Sequence, residues 1–448
     1  MRLFIIRFSY SLLLYIVWPM YSIAQFFSKQ ARQFATTRKE GKATIQEFLS
    51  SEVDVTEFRF WLHASSVGEL DQAIAVARSI RKNRKYKNSK ILITGFSLSI
   101  KKLPTLPEAN LSCYLPLDYQ LTWSKIFKNQ NRSNTQNTKD RKITDFSNLI
   151  FITFTWDVYP NLLFQLKKVN SKSFLCSAAL SKDSWRLKYS FWLQPVYNLF
   201  DGIGAVDQPN KTRFLQLLND QDRVQVTGDS RYDTVFYKLE NSKLTDANLK
   251  PILNIKSAFI LASTYNACDQ QLFPELPTWL KAYPNRDLWI FPHHIDEHRL
   301  KECEANLANY GIQSHRFSEL IDSPKSRVVV VDQLGLLAHC YSKTAYCYVG
   351  GGFHHRVHNT AEPAALGSVI VTGPKINSSP IAVQLEEIGG LFRRYSGKEI
   401  FDTIDELEQN KKRLASLSKA NRDYLKSQLG SSDRFLKFIE SMFYESSS

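Results

Sequence analysis

Residues 344–374, TAYCYVGGGFHHRVHNTAEPAALGSVIVTGP, restrict what this chain can fold into more than any other stretch. A short apolar run of β type, 345–349, meets three glycines, Gly350, Gly351 and Gly352. Asn359, Thr360, Ala361 and Glu362 follow, then a proline, a small-residue helical stretch at 364–366 and a second strand-like run at 369–371. A strand that feeds a glycine-rich turn and then a helix leaves backbone N–H groups free at the helix start. The turn lets a ligand approach the backbone closely, and the helix dipole favours a phosphate there. Glu362 falls near that helix start, where a carboxylate can accept hydrogen bonds from a ribose diol. An ordinary tight turn of an α/β sheet would look the same, and the spacing is not GxGxxG.

The same punctuation recurs along the chain. Strand-like runs at 58–63, 90–94, 149–154, 173–177, 202–206 and 223–227 alternate with helical stretches such as 70–81 and 159–167. Residues 114–118 read as a short extended piece. A second series has strands at 258–262, 288–291 and 327–331, ahead of the opening stretch. Alternation at this length predicts parallel sheets with helices on both faces. The fold class expected is α/β: two Rossmann-like domains facing a cleft, behind an N-terminal hydrophobic helix. At 448 residues two or three domains are expected, and an apolar fraction of 43% is enough to fill their cores. In such sheets ligands bind beyond the carboxyl ends of the strands. The distinctive polar residues fall there: Glu69, Asp157, Ser263, His293, His294, Gly335 and Glu362. The expected boundaries are an anchor and basic flank at 1–50 and an N-terminal domain at 51–235 with a polar surface insertion at 129–148. A linker at 236–256, a C-terminal domain at 257–425 and a helix at 426–448 that can cross back to the first domain complete the chain.

Residues 8–27, FSYSLLLYIVWPMYSIAQFF, carry no charge and as a helix would cover about 30 Å, the thickness of a hydrocarbon core. Pro19, three tyrosines and three serines weaken it as a spanning segment, and Trp18 suits an interface. Lys29, Arg32, Arg38, Lys39 and Lys42 follow it. The reading is an interfacial or shallowly inserted anchor with the body on the cytoplasmic side, a cleaved signal peptide being the rival. The net charge of +15 is spread along the whole chain. It suits a solvated basic surface, anionic lipid or a phosphorylated substrate, and no nucleic-acid recognition motif accompanies it. The six cysteines form no CxxC pair, and four lie in or beside apolar runs, as reduced, buried thiols do.

Seven motifs, in this order, resemble those of the Kdo transferases, which transfer 3-deoxy-D-manno-octulosonic acid in lipopolysaccharide synthesis. They are HASSVGE (63–69), TWDVYPN (155–161), VTGDSRYD (226–233), AST (262–264), PHH (292–294), DQLG (332–335) and VGGGFHHRVHNTAEPAALGSVIVTGP (349–374). The resemblance spans nearly the whole chain, and SVGE together with HN–EP is its most specific part. It implies a GT-B glycosyltransferase that needs no metal or other cofactor. The implied donor is CMP-Kdo, the acceptor a lipid A precursor, and the location the cytoplasmic face of the inner membrane. The N-terminal domain would serve the acceptor and the C-terminal domain the donor. The chain departs from the family pattern at Thr155, where an acid is usual, and at Arg231, where a lysine is. His293 stands for an arginine beside the donor phosphate, Leu336 for a glutamate, and Arg356-Val357 for a pair of glycines.

Transfer from a CMP-linked sugar needs a base for the acceptor hydroxyl's proton and positive or dipolar groups to hold the leaving phosphate. Glu69 is assigned as the base, kept ionised by the dipole of the helix that follows it. A first-turn carboxylate with only a capping role would look alike. Arg231, Thr155 and Asp157 are assigned to support the transition state, and Arg231, His293 and His294 to hold the phosphate. Ser263, Leu334, Gly335 and Leu336 are further donor contacts by the resemblance. So are Gly351, Gly352, Asn359, Thr360, Ala361 and Glu362. His294 and His298 have metal-ligand spacing, and His354, His355 and His358 cluster, yet spacing fixes no third ligand. Two alternatives stay open: another GT-B enzyme using a UDP- or GDP-sugar, and a catalytically silent membrane-associated homologue.

Overall fold

The computed structural model describes residues 1–51, 57–97, 100, 103, 107–133, 146–218, 220–241, 252, 257–321 and 327–444. The chain divides into two compact units, Met1–Thr234 with Gly430–Ser448, and Val235–Leu429.

The first unit is built on a parallel sheet in the order β3-β2-β1-β4-β5-β6-β7. Its strands are β1 Arg59–Ala64, β2 Lys90–Gly95, β3 Leu111–Tyr114, β4 Leu149–Phe154, β5 Lys172–Ala178, β6 Gly202–Ala205 and β7 Val224–Val226. RFWLHA of β1 and LIFITF of β4 are buried at every position, as a parallel sheet covered on both faces requires. The strand order reverses between β1 and β4, which pair with His63 opposite Thr153. The turns that leave these two strands are therefore neighbours at a topological switch point.

One face of this sheet carries Phe60, Leu62, Phe154 and Phe174, packed with Val76 and Ala77 of the helix Val67–Lys82 and with Phe435 and Phe438 of the last helix, Ser431–Tyr444. Glycines on β6 make room for that helix: a Cβ on Gly202 would lie 2.8 Å from the Phe438 ring, and one on Gly204 2.7 Å from Phe435. The other face buries Trp61, Trp123 and Phe151 with Ile45 and Phe48 of the helix Lys29–Ser50. The hydrophobic N-terminal helix spans Arg2–Phe27 and leaves Phe4, Phe8, Leu12, Leu13 and Ile16 exposed. Its other side is tied to the unit. Arg7 Nε donates to Asn161 Oδ1 at 3.2 Å, and Asn161 Nδ2 donates to Ser11 Oγ at 2.9 Å. Among the described residues no helix is long and apolar enough to cross a membrane. Arg38, expected in the basic flank, is instead buried over the Phe34 ring.

The second unit repeats the plan in the order β10-β11-β9-β8-β12-β13-β14. Here the strands are β8 Ala258–Thr264, β9 Asp287–Pro292, β10 His315–Arg316, β11 Val328–Val330, β12 Tyr346–Val349, β13 Val369–Thr372 and β14 Leu391–Arg393. The switch point lies between β8 and β12, where Val349 is opposite Ala262, and Thr264 is in turn opposite Pro292 of β9. Three strand ends thus converge, carrying Tyr265, His293-His294 and the glycine-rich stretch.

The α/β class with two Rossmann-like halves is as expected. Some boundaries differ. The extended piece expected at 114–118 starts on the last residue of β3 and otherwise lies past its end. Residue Asp118 there is taken up as an acceptor for the N–H groups of Asn161 and Leu162, at 3.0 and 2.8 Å. Residues 129–133 of the expected polar insertion continue the helix Gln120–Ser133, Phe146 is buried, and 134–145 lie outside the described residues. Residues 236–241 of the expected linker belong to the helix Arg231–Asn241, and the rest, Ile252 aside, lie outside the described residues. All six cysteines are free and buried.

Candidate active site

β1 ends at Ala64, and Ser65-Ser66 turn the chain into the helix Val67–Lys82. Ser66 is the N-cap: its Oγ accepts from the Glu69 N–H, while Glu69 Oε2 accepts from the N–H groups of Ser65 at 2.7 Å and Ser66 at 3.0 Å. This is a capping box, so the plain capping role is real. It does not exhaust the residue. Glu69 is only 7% exposed. Burial, and then the Asp157 carboxyl beside it, push its pKa up to about 8, against the two N–H donors that pull it down. The expectation that the helix dipole keeps Glu69 ionised is therefore corrected. Lost water and a second carboxyl outweigh the dipole and the N–H bonds. Asp157 is raised as well, by burial, while hydrogen bonds from Ser65 and Glu69 hold it down. Each carboxyl is thus raised first by its own burial, and for Glu69 the neighbouring Asp157 adds to it.

A buried polar chain supports this pair. The Tyr159 hydroxyl bridges His63 Nε2 at 2.9 Å and Ser65 Oγ at 2.7 Å, and His63 Nδ1 meets Thr94 Oγ1 at 2.8 Å. Burial lowers His63 to about 3, so the ring is neutral and serves as a fixed strut. Tyr159 and His63 lie inside recognised motifs, but nothing in their spacing indicated that they would meet.

Thr155 has φ 61, a left-handed conformation rare for a β-branched residue. Its Oγ1 bonds Gln72 Oε1 at 3.2 Å, and Gln72 Nε2 donates to Asp229 Oδ1 at 2.9 Å. Asp229 grips Arg231 through Nε at 2.9 Å and Nη2 at 2.5 Å. Burial works to raise Asp229, but Arg231 and the hydrogen bonds overcome it and the pKa ends below the ordinary value. Arg231 is raised first by Asp229, and Glu69 contributes too. The fold thus brings Glu69, Asp157 and Arg231 together. It links Thr155, which has no acid to offer, to Asp229, an acid the sequence reading did not single out.

In the second unit, Ser263 (φ 52) sits at an irregularity of β8. A Cβ on Gly350 would lie 2.2 Å from Ser263 O, one on Gly351 2.2 Å from Arg356 O, and one on Gly352 2.7 Å from Gly373 N. In the Cβ direction the glycine triplet answers to backbone packed on backbone. Asn359 Oδ1 accepts from the Ala361 N–H and its Nδ2 donates to Glu362 Oε1, each at 3.0 Å. Thr360 and Ala361 are buried, and Thr360 Oγ1 has no hydrogen-bond partner. Leu336 is buried and its side chain serves the core, whereas Leu334 is 80% exposed and Gly335 stands open at φ +86. His293 and His294 are exposed beside Tyr265, a residue the sequence reading missed. Among the described residues no group of three or more His, Cys, Asp or Glu is arranged to hold a metal ion.

Residues 29–234 match the family described as 3-Deoxy-D-manno-octulosonic-acid transferase (kdotransferase). The chain is 23% identical over 392 residues to the 3-deoxy-D-manno-octulosonic acid transferase of Haemophilus influenzae, covering 85% of this chain and 86% of the relative. It is 25% identical over 354 residues to the enzyme of that name from Chlamydophila psittaci, covering 76% of each. Its fold is similar to that of UDP-GlcNAc 2-epimerase from Neisseria meningitidis, with a TM-score of 0.60 at 14% identity over 86% of this chain and 100% of the other. The architecture is of the GT-B kind.

Proposed function

We propose, from the premise that this chain is a glycosyltransferase similar to the Kdo transferases, that it moves Kdo from CMP-Kdo to a lipid A precursor with Glu69 as the base. The observation that carries this reading is the buried Glu69–Asp157 pair at a switch point. The acceptor hydroxyl oxygen attacks the anomeric carbon of Kdo, the bond from that carbon to the phosphate oxygen breaks, and CMP leaves with the electron pair. The hydroxyl proton passes to Glu69. A carboxyl raised toward neutrality is a stronger base than a solvated one and still releases its proton near working pH. Arg231, held by three side-chain contacts to Asp229, offsets the negative charge that builds up when Glu69 ionises. In the second unit Glu362, steadied by Asn359, accepts from the ribose diol, and His293 and His294 meet the phosphate. This scheme asks for no metal.

A lipid acceptor keeps its acyl chains in a bilayer, so we place the protein at the cytoplasmic face of the inner membrane. Phe4, Phe8, Leu12 and Ile16, exposed on one helix, support that placement, with Lys29 and Arg32 available to anionic headgroups. The test is a transfer assay with CMP-Kdo and a tetra-acylated lipid A precursor, read by mass spectrometry. The acceptor should gain the mass of Kdo. No gain with CMP-Kdo, together with product from a UDP- or GDP-sugar, would overturn the reading in favour of a different donor.

A further inference from the structure

Tyr265, just past β8, has four imidazoles around its ring. His354 and His358 stack on it with centroids 4.6 and 5.4 Å away, His293 lies at 4.8 Å and His294 at 6.0 Å. His293 and His358 also stack on each other at 4.2 Å, and His355 is 3.9 Å from His354. The backbone fixes three of them: the N–H groups of His293, His354 and His358 donate to Thr264 O, Gly351 O and Gly350 O. One ring nitrogen, His358 Nε2, is on the Tyr265 hydroxyl at 3.0 Å. Another, His354 Nδ1, is buried with no hydrogen-bond partner. Such an atom needs a donor or acceptor from outside.

The main groups acting on His293 and His358 are basic. His293 is lowered by burial and then by His294 and His354; His358 is lowered to about 4 by burial and then by His293, Arg356, His294 and His354. Tyr265 faces Arg356 and, from the following helix, Cys268. Lys375 donates its Nζ to His354 O. Among the described residues, no carboxylate figures among the main groups acting on His293 or His358. His293 and His358, lowered in this way and stacked on each other, favour the neutral form until an anion arrives to compensate a proton.

We propose that this cluster is a proton-loading anion grip. A phosphate group binds against His293, His354 and His358 beside Tyr265, and the stacked pair His293–His358 takes up a proton as it binds. On the function proposed above, on which this identification of the ligand rests, the phosphate is that of the CMP-linked donor. The sign follows from linkage: a His293–His358 pair neutral when empty and charged when filled binds more protons in the complex, so affinity strengthens as pH falls.

Calorimetry of the full chain tests this with sulfate, whose charge does not change between pH 6.5 and 8.5, and with CMP and cytidine, each in two buffers of different ionisation heat. Sulfate and CMP should bind about tenfold more tightly at pH 6.5 than at 8.5 and take up a proton, while cytidine takes up none. His293→Arg, at an exposed position, replaces a titratable charge with a fixed one. It should bind sulfate at pH 8.5 more tightly than wild type and flatten the slope. Affinities that ignore pH and exchange no protons overturn the grip, and CMP binding under those conditions leaves the donor site standing. A slope unchanged in His293→Arg also overturns it. Proton-linked sulfate binding without any CMP binding supports the grip and removes the donor assignment.

Discussion

Glu69→Gln should slow this enzyme and stabilise it at once. The side chain keeps its length, and the amide oxygen can still accept from the Ser65 and Ser66 N–H groups, so the capping box survives. What disappears is the need to ionise a buried carboxyl beside Asp157. The folded-state pKa is raised from 4.5 to about 8. The folded protein therefore keeps a proton that the unfolded chain releases. This group's contribution to stability is fully present below pH 4.5 and is lost as pH rises toward 8. At about 1.4 kcal/mol per pKa unit the loss has a ceiling of about 5 kcal/mol. The amide must itself stay buried and paired, so we expect the variant to recover about half of that at pH 8.5. Urea unfolding at pH 5 and pH 8.5 reads the difference, which should be small at the lower pH. Transfer should fall about 100-fold or more, as for a lost general base. If variant and wild type show the same pH dependence of stability, Glu69 ionises freely and the buried-pair reasoning is wrong. If more than a third of the turnover remains, Glu69 is not the base.

Glu362→Ala should weaken CMP binding about tenfold or more in calorimetry, through a charge-assisted hydrogen bond worth roughly 1.5–3 kcal/mol; unchanged affinity would remove it from the donor site. Gly350→Ala places a Cβ 2.2 Å from Ser263 O and should cost about 2 kcal/mol or more of stability, seen as a lower Tm; an unchanged melt would show that the backbone can shift aside. Leu12→Glu with Ile16→Glu alters two exposed positions. The pair should leave circular dichroism and CMP binding intact and lose most flotation with anionic liposomes; full flotation at high salt would put the membrane contact elsewhere.

The central strands were legible because burial on both faces writes them as short apolar runs: FRFWLH and LIFITF fall almost on β1 and β4. The two edge strands of the second sheet were not. His315–Arg316 and Leu391–Arg393 are two and three residues long and pair on one side only, so they carry little pattern to read. At the site, position was legible where charge state was not. Glu69 announces itself at the start of a helix, but the burial that raises it, and the Asp157 that adds to it from the turn after a different strand, do not. The links from Tyr159 to His63 and from Thr155 through Gln72 to Asp229 join residues far apart in sequence. Local spacing holds no trace of them. The glycine triplet was read as a place where a ligand can approach the backbone; the backbone contacts that also require glycine there come from residues such as Ser263 and Gly373, which the local pattern does not name.

The last helix sets an order of events in the life of the chain. Residues Gly430–Ser448 belong to the first unit, yet Val235–Leu429 must be synthesised before they exist. At about 5–20 residues per second, those 195 positions hold the ribosome for roughly 10–40 s. Throughout that interval β6 shows bare glycines where Phe435 and Phe438 will sit, and Asp233 lacks the Gly430 and Ser432 N–H groups it will accept. A nascent first unit therefore waits with an apolar flank open, a natural client for a chaperone. A stop codon or a protease cut near residue 430 would accordingly disable the part of the protein made first.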